Sequence, residues 1–347
     1  MNARLQPATS PGAPLRDRLG RPLRDLRLSV IDACNFRCGY CMPADRVADD
    51  HGLDSSQRLD VDQIETLVRA FVQQGVSKLR LTGGEPLLRR GLPALVARLA
   101  AIEGIDDIAM TTNGTLLARH AAALQQAGLH RVTISLDALE PALFARLSGD
   151  RGRIEDVLAG IDAATAVGLP VKLNCVIQRG VNEDQVLPLV GHFRGSGHVL
   201  RFIEYMDVGS CNGWRAGEVV SSAELRERIH ARWPLRPLDP QYQGEVAQRH
   251  AFADGAGEVG FVSSISEPFC GDCHRARVSA DGHLYTCLFA DTGSDLKPAL
   301  AQGQDALGET IATLWAARED RYSELRGALR NDARGDRRRV EMFLVGG

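Results

Sequence analysis

The sequence predicts an α/β fold, a partial (βα)6 TIM-like barrel of parallel strands whose mouth is closed by an irregular C-terminal region. Short segments rich in β-branched residues alternate six times with segments whose apolar residues are spaced three and four apart. No hairpin signal separates neighbouring strands, so each connection contains a helix, as parallel pairing requires. After about residue 207 the alternation stops.

Taken in chain order, the predicted strands cover residues 27–33, 78–82, 107–112, 131–136, 171–177 and 199–205. The predicted helices between and after them cover residues 61–74, 92–102, 116–127, 154–167 and 183–193. Gly75, Gly128 and Gly168 lie just past three of these helices, where a glycine commonly ends a helix. A further helix is predicted over 221–232, with Ser221 as its N-cap.

These segments divide the chain into three parts. Residues 1–22 have a Pro, Gly, Ala and Ser composition with little to bury, which predicts a flexible leader. The barrel is expected over 23–206, and the remaining residues, 207–347, are expected to form the C-terminal region.

Composition excludes several classes of protein. With 347 residues, 44% hydrophobic and 24% charged, the chain is long and apolar enough to bury a large core. A net charge of −3 argues against a nucleic-acid binder, and no stretch approaches the ~20 apolar residues of a membrane span. The polar N-terminus does not resemble a secretion signal, so we expect a cytoplasmic protein whose eight cysteines do not form disulfides.

A first cysteine triplet directly follows the first predicted strand. Cys34, Cys38 and Cys41 have the spacing C-x3-C-x2-C, which lets three thiolates converge on one iron–sulfur cluster. In a cluster of four irons, three thiolates would bind three of the irons and leave the fourth with an open coordination position, which a reaction requires and a structural role does not. A structural zinc site would need a fourth ligand, and the nearest candidate, His51, is ten residues away. Spacing alone leaves zinc or unrelated thiols as alternatives.

A second triplet lies in the C-terminal region, where Cys270, Cys273 and Cys287 form a C-x2-C-x13-C pattern. A zinc ribbon with His274 or His283 as fourth ligand is a reasonable alternative. Two arginines follow Cys273 at positions 275 and 277, and their forked donors suit an anionic ligand such as a phosphate. They are equally compatible with an exposed strand.

Two basic side chains fall within predicted buried strands. Arg27 shares a strand face with Ser29 and Ile31, and Lys172 shares one with Asn174. Because an unpaired buried charge is costly, each needs an anionic partner. A triphosphate would supply several negative charges, whereas the alternative is an acidic residue on a neighbouring strand.

The first triplet with Tyr40, followed by the Gly-Gly-Glu-Pro segment at 83–86, resembles the radical S-adenosylmethionine superfamily. This resemblance implies a [4Fe–4S] cluster whose open iron binds S-adenosylmethionine. The reduced cluster then cleaves the cofactor to a 5′-deoxyadenosyl radical.

Both triplets in this order resemble the GTP 3′,8-cyclase family within that superfamily. The likeness runs from Leu23 to the C-terminal Gly346-Gly347. It includes the motifs at 80–86, 135–137, 172–174, 201–206, 270–277, 281–282 and 287–289. Ala33, Gly39 and His274 depart from the family pattern, and so does the tail at 342–345.

This resemblance implies a set of site residues. The two triplets would hold two [4Fe–4S] clusters, the second of which meets the guanine of GTP. The residues expected to contact S-adenosylmethionine are Tyr40, Gly84, Ser135 and Met206. The residues expected to hold GTP are Arg27, Arg80, Thr111, Lys172, Arg275, Ala276 and Arg277, with Arg201 as a weaker candidate.

The resemblance also implies the reaction and its partners. The radical would remove the hydrogen at C3′ of GTP, and the resulting carbon radical would attack C8 to give (8S)-3′,8-cyclo-7,8-dihydroguanosine 5′-triphosphate. This is the first step of molybdenum cofactor biosynthesis. A low-potential electron donor, the downstream cyclic pyranopterin monophosphate synthase and a homodimer partner are expected.

Two other functions stay open at the level of the sequence. Another radical enzyme with an auxiliary cluster, acting on a peptide or metabolite, would keep the first motif. A zinc-binding interaction module would keep only the cysteines. Of the two cysteines outside the triplets, Cys175 is predicted to be a core residue, whereas the role of Cys211 is not specified.

Overall fold

The computed structural model describes residues 15–48, 52–242, 244–331 and 339–346. Six parallel strands form the centre of its sheet, in the order in which they occur along the chain. They are β1 (Asp25–Ser29), β2 (Lys78–Thr82), β3 (Asp107–Thr112), β4 (Arg131–Ser135), β5 (Val171–Ile177) and β6 (Val199–Glu204). The six predicted strands are therefore confirmed, except that residues 30–33 form the turn that leads to Cys34.

The helices that connect these strands bury their apolar faces against the sheet. They are α1 (Val61–Gln73), α2 (Leu92–Ala100), α3 (Leu117–Gln126), α4 (Pro141–Leu147), α5 (Ile154–Ala166) and α6 (Val186–Phe193). Asp60 begins α1 with a capping box that it shares with Gln63. The sequence did not predict α4, because its seven residues are too few for an apolar period to stand out.

The C-terminal region is more regular than expected. After α7 (Ser222–Arg232) come β7 (Leu235–Leu238), β8 (Gln248–Phe252) and β9 (Glu258–Val262), an antiparallel meander whose last strand pairs parallel with β6. At the opposite edge, β10 (Arg275–Val278) pairs parallel with β1 and is followed by β11 (His283–Tyr285) and β12 (Ser294–Asp295). The prediction of an irregular region is therefore wrong, since these residues extend both edges of the barrel sheet.

Twelve strands of the described chain thus form one sheet, in the order β12-β11-β10-β1-β2-β3-β4-β5-β6-β9-β8-β7. Its two end strands, β7 and β12, do not pair with each other, so the barrel is partial, as predicted. The later helices are α8 (Lys297–Gln302), α9 (Gln304–Ala316), α10 (Tyr322–Asn331) and α11 (Met342–Val345). Among the described helices, none is long and apolar enough to cross a membrane.

The flexible leader was predicted to extend over residues 1–22, but residues 15–22 are folded. Arg16 forms a β-bridge with Pro22, and the side chains of Asp17 and Arg21 are buried in an ion pair of 2.6 Å. The indole of Trp315, at the end of α9, donates a hydrogen bond of 3.2 Å to the Arg21 carbonyl. This segment is therefore folded onto the C-terminal region, while residues 1–14 of the expected leader lie outside the described residues.

A buried carboxylate joins the end of β6 to the C-terminal region. The Glu204 side chain is fully buried and accepts hydrogen bonds from the backbone N–H groups of Ser222, Ile265 and Ser266, at 2.7, 2.8 and 2.8 Å. The Ser266 hydroxyl donates a fourth, at 2.6 Å. One side chain thus fixes the start of α7 and the loop that leads to the second cysteine triplet.

Glu204→Ala is expected to lower the free energy of unfolding by about 2 kcal/mol or more, because one buried and three partly buried donors lose their acceptor. Urea unfolding followed by circular dichroism measures the change. Glu319→Ala removes an exposed carboxylate paired with Arg18 and should change stability by less than about 0.5 kcal/mol. Equal stability of the two variants would contradict this role of Glu204.

Candidate active site

A first cavity of about 840 Å³, its open mouth included, lies at the carboxyl ends of β1 to β4, and the first cysteine triplet lines it. Burial raises the pKa of the Cys34 thiol to about 11. Burial, reinforced by the neighbouring thiols, holds the pKa values of Cys38 and Cys41 well above their usual range. The three sulfurs are therefore close enough to repel one another as anions, which favours a bound cationic centre that would stabilise the thiolates.

The glycine turn after β2 packs directly against the loop that carries this triplet. The backbone N–H of Gly84 donates to the Ile31 carbonyl at 2.7 Å, and that of Glu85 donates to the Ala33 carbonyl at 2.8 Å. A side chain at Gly84 would collide with the Ala33 carbonyl, so this approach requires glycine. The turn therefore fixes the backbone immediately before Cys34.

Glu85 connects that turn to the end of β3. Its carboxylate accepts from the Thr112 hydroxyl and the Asn113 N–H, each at 2.7 Å, and burial raises its pKa to about 7. The Asn113 amide in turn donates to the Asn35 side chain at 2.8 Å, within the cysteine loop. Asn113 and Asn35 were not predicted as site residues, because neither belongs to a recognisable ligand pattern.

The boundary between the first cavity and a second one is formed by Tyr40 and Asp137. The Tyr40 hydroxyl donates to the Asp137 carboxylate at 2.9 Å, and the Val176 N–H donates to the same group at 2.8 Å. Burial raises the Asp137 pKa to about 6 despite these bonds. The side chains that line both cavities are those of Tyr40, Thr111, Ser135, Asp137 and Met342.

The second cavity, about 1670 Å³ with its mouth, fills the barrel interior and contains a row of three arginines. Arg27 on β1 is in register with Arg277 on β10 at one side and with Arg80 on β2 at the other. Like charges directly opposite each other on adjacent strands destabilise a sheet. This row therefore needs negative charge from outside the strands.

The pKa values of the row reflect that repulsion. Burial, followed by the charges of Arg277 and Arg80, holds the Arg27 pKa well below its usual range. Burial and the neighbouring arginines lower the pKa values of Arg80 and Arg277 to about 10 each. Because guanidinium groups stay charged at pH 7, the cost of burying them is relieved when an anion binds.

More basic side chains line the same cavity. Burial, with the charges of Arg201 and Arg131, lowers the Lys172 pKa to about 8, and Arg201 donates to Asn174 at 3.0 Å. Among the described residues, six basic side chains line the cavity, those of Arg27, Arg80, Lys172, Arg201, Arg275 and Arg277. The acidic side chains of the same described lining are Asp137 and Glu245. The interior is therefore built for a ligand with several negative charges.

The second cysteine triplet faces this cavity from the C-terminal region. Cys270 lies in a short 3₁₀ turn, Cys273 precedes β10 and Cys287 follows β11. Burial acts to raise the Cys273 pKa, but the charges of Arg275 and Arg318 outweigh it and bring that pKa to about 5. Burial raises the Cys287 pKa to about 12. Cys273 is thus a thiolate at neutral pH and a ready metal ligand.

The histidines that a zinc ribbon would use are directed elsewhere. His274 is buried with Nδ1 at 3.3 Å from Asp25, and Nδ1 of His283 lies at 3.1 Å from Asp281. Within the described ranges, no three His, Cys, Asp or Glu side chains converge to hold one metal ion. A cubane cluster places each thiolate on a different iron, so its three cysteine ligands need not converge on one metal ion.

Most predicted site residues lie around the two cavities. Of the residues predicted to contact S-adenosylmethionine, Gly84 lines the first cavity and Met206 lines only the second. Ala276 is the exception among the GTP residues, because its side chain is fully buried in the core between Arg275 and Arg277. Only its backbone is available to a ligand. Cys175 is a buried core residue, as predicted.

The C-terminal tail reaches the boundary of the cavities. Arg277 donates to the carbonyls of Val345, at 3.3 Å, and Gly346, and Gly346 packs closely against Thr82. Met342 lines both cavities. Gly347, the second residue of the predicted Gly-Gly end, lies outside the described residues.

Fold and site together define a radical S-adenosylmethionine protein, and the "Radical SAM superfamily" model matches residues 28–192. A second family model, "Molybdenum Cofactor Synthesis C", matches residues 198–324. The chain is 73% identical to the GTP 3′,8-cyclase of Xanthomonas axonopodis pv. citri over 336 residues, which cover 96% of this chain and 99% of that one. The corresponding enzyme of Acidothermus cellulolyticus is 50% identical, with 96% and 99% covered. The chain therefore belongs to the GTP 3′,8-cyclase family, and its cofactors include S-adenosylmethionine and a [4Fe–4S] cluster.

Among solved structures, the chain is similar to Streptococcus suis SuiB bound to S-adenosylmethionine. The TM-score is 0.60 at 16% identity, and the match covers 90% of this chain and 68% of that one. At this identity the likeness supports the fold alone.

Gly84→Ala is expected to abolish binding of the first cluster or of S-adenosylmethionine, because the added methyl group would collide with the Ala33 carbonyl. Iron analysis after anaerobic reconstitution and equilibrium dialysis with labelled S-adenosylmethionine measure both. Gly39→Ala is the matched control within the triplet, since a methyl group there meets open space, and it should retain binding. Loss of binding in both variants, or in neither, would contradict the fit described for Gly84.

Proposed function

We propose that this chain converts GTP to (8S)-3′,8-cyclo-7,8-dihydroguanosine 5′-triphosphate, the first step of molybdenum cofactor biosynthesis. The observation that carries the proposal is the row of Arg277, Arg27 and Arg80 across three adjacent strands. The cavity that contains this row is lined by the second cysteine triplet and adjoins, at Tyr40 and Asp137, the cavity that the first triplet lines. A nucleoside triphosphate supplies the negative charge that this row requires. Membership of the GTP 3′,8-cyclase family supports guanine as the base.

In this proposal the first cavity holds S-adenosylmethionine. Cys34, Cys38 and Cys41 would hold the cluster, and Gly84 would leave space for the methionine part of the cofactor. Tyr40 and Ser135 line both cavities and would orient the cofactor towards the substrate, while Met206 would contact it from the second cavity. When bound and reduced, the cluster supplies the one-electron cleavage of S-adenosylmethionine that gives a carbon radical able to remove a hydrogen atom.

The second cavity would hold GTP. Arg27, Arg80, Lys172 and Arg277, with Arg201 and Arg275, would bind the triphosphate. Thr111 accepts a hydrogen bond of 3.2 Å from Arg80, which holds that guanidinium in place, and Ala276 would contribute backbone only. These contacts would fix the ribose against the first cavity and keep water from a reactive carbon centre.

Cys270, Cys273 and Cys287 would hold a second [4Fe–4S] cluster that binds the guanine. Three thiolates and no directed histidine support a cluster with one open position rather than a zinc ribbon. The two cofactor sites divide the chain functionally into a barrel part, residues 23–206, and a C-terminal part, residues 207–347. The electron donor, the downstream synthase, the homodimer and the cytoplasmic location stay predictions.

The reaction is tested with anaerobic, reconstituted full-length protein incubated with GTP, S-adenosylmethionine and dithionite. We expect 5′-deoxyadenosine and the cyclised nucleotide in equal amounts by mass spectrometry. Cys34→Ala should abolish both products. Cys287→Ala should abolish the nucleotide product while slow formation of 5′-deoxyadenosine continues, since the first site is intact.

Two outcomes would overturn the proposed function. Formation of 5′-deoxyadenosine without any GTP-derived product would indicate a radical enzyme with another substrate. Zinc without iron or sulfide in the purified protein would indicate the zinc-binding module instead.

The pH dependence of GTP affinity tests the role of Lys172, whose pKa burial lowers to about 8. Its ammonium is present below that pH and lost above it, so GTP affinity should fall up to about tenfold per pH unit above 8. In Lys172→Arg the charge persists, and the fall between pH 7.5 and 9 should be smaller. Because GTP ionises identically in both experiments, the ratio of the two affinities isolates Lys172. An unchanging ratio would contradict its contact with the triphosphate.

A further inference from the structure

A buried group of three charged side chains lies behind the second cysteine triplet, outside the GTP cavity. Asp17 and Arg21 come from the folded segment 15–22, and Arg318 follows α9. The side chains of all three are at most 2% exposed. Two guanidiniums and one carboxylate thus share a buried site, and the partly exposed Asp320 lies at its edge, 3.5 Å from Arg318.

Arg21 is the main partner of Asp17 within this group. Nε of Arg21 lies at 2.6 Å from the Asp17 carboxylate, and the Arg21 backbone N–H donates to the same group at 2.9 Å. The Nη1 group of Arg21 donates to the backbone carbonyl of Cys270 at 2.7 Å and to the backbone carbonyl of Asp320 at 2.8 Å. One carboxylate and one guanidinium therefore balance, and Arg21 also holds the backbone of the first cysteine in the triplet.

Arg318 lies farther from carboxylates than Arg21 does, and two of its hydrogen bonds go to Cys273. Its Nη1 donates to the Cys273 carbonyl at 2.7 Å, and its Nη2 donates to the Cys273 sulfur at 3.2 Å. The same Nη1 also donates to the Asp17 carboxylate, at 3.2 Å. Nε lies at 3.5 Å from Asp320, whose side chain is one-third exposed and accepts from Thr286 at 2.6 Å. The Arg318 guanidinium also stacks over Trp315, 4.5 Å from the ring centroid, so its plane is fixed.

We propose that Arg318 is a positioning residue for the second cluster: it holds Cys273 by backbone and sulfur together and supplies the positive charge that stabilises the cluster-bound thiolate. The inference rests on the second cluster of the proposed function. Hydrogen bonds to ligand sulfurs and nearby charge help to set the reduction potential of an iron–sulfur cluster. Asp17 holds Arg318, and Arg21 holds the backbone of Cys270. The segment before β1 thus helps to position the second cysteine triplet, which lies in the C-terminal region.

Arg318→Met tests this proposal in the full-length protein. The substitution keeps an unbranched side chain without the guanidinium and leaves Asp17 paired with Arg21, so folding should survive. We expect iron to fall from about eight towards about four per chain, because one of two [4Fe–4S] clusters is lost or retained poorly. Arg318→Lys keeps the charge and should recover part of the iron. Formation of 5′-deoxyadenosine without GTP should be unchanged in both Arg318 variants, because the first cysteine triplet is intact in them.

A reduction potential separates positioning from a merely structural role. In a background with Cys34, Cys38 and Cys41 replaced by alanine, only the second cluster should assemble. Redox titration followed by electron paramagnetic resonance should give a more negative midpoint potential for Arg318→Met than for the unsubstituted arginine, because a positive charge and an N–H···S bond are removed. Arg89→Met is the matched control, since Arg89 bridges the Val30 and Leu59 carbonyls and touches no cysteine.

The role of Arg318 and the presence of the second cluster would be contradicted by different results. Full iron content and an unchanged potential in Arg318→Met would overturn the role of Arg318 while leaving the second cluster in place. Equal iron loss in Arg89→Met would also overturn it, because the effect would then be general loss of packing. About four irons per chain in the wild-type protein would overturn the second cluster of the proposed function, and this inference with it.

Discussion

The site depends on a row of like charges that the sheet holds in its interior. Arg277, Arg27 and Arg80 occupy matching positions on three adjacent strands, and these strands, as the structure describes them, place no carboxylate in the same register. Hydrogen-bonded strands hold these side chains within a few ångströms of each other, so their repulsion cannot relax without breaking the sheet. Such an arrangement costs stability in the empty protein and favours the binding of a polyanion.

This arrangement depends on the C-terminal region, which extends the barrel sheet at both edges instead of forming a separate lobe. Arg277 is brought beside Arg27 only because β10 returns to pair with β1, and the same return carries Cys273 to the edge of the cavity. At the other edge, Glu204 fixes the loop that leads to the second triplet. The site thus needs strands at both edges of the sheet.

Much of the barrel could be predicted because its signals are local. Short β-branched segments, apolar periods of three and four residues and glycines after helices each specify an element without reference to the rest of the chain. The triplets and the basic residues in strands, such as Arg27, were visible for the same reason. By contrast, the pairing of β10 with β1 could not be predicted, because β10 is only four residues long and some 250 residues of chain separate the two strands. Asp17 and Arg318 contact each other although they are 301 residues apart in the chain. Composition cannot reveal such a contact, and for residues 15–22 it predicted a flexible leader.

We infer that the interior of the barrel is organised around a polyphosphate. The most direct test is the equilibrium affinity of the anaerobic, cluster-loaded protein for guanosine, GMP, GDP and GTP, measured by calorimetry at one pH and salt concentration. We expect the affinity to increase with each added phosphate and GTP to bind roughly a hundredfold or more tightly than guanosine, because charge-assisted hydrogen bonds to buried guanidiniums are strong. Equal affinities for guanosine and GTP, within a factor of about two, would contradict it.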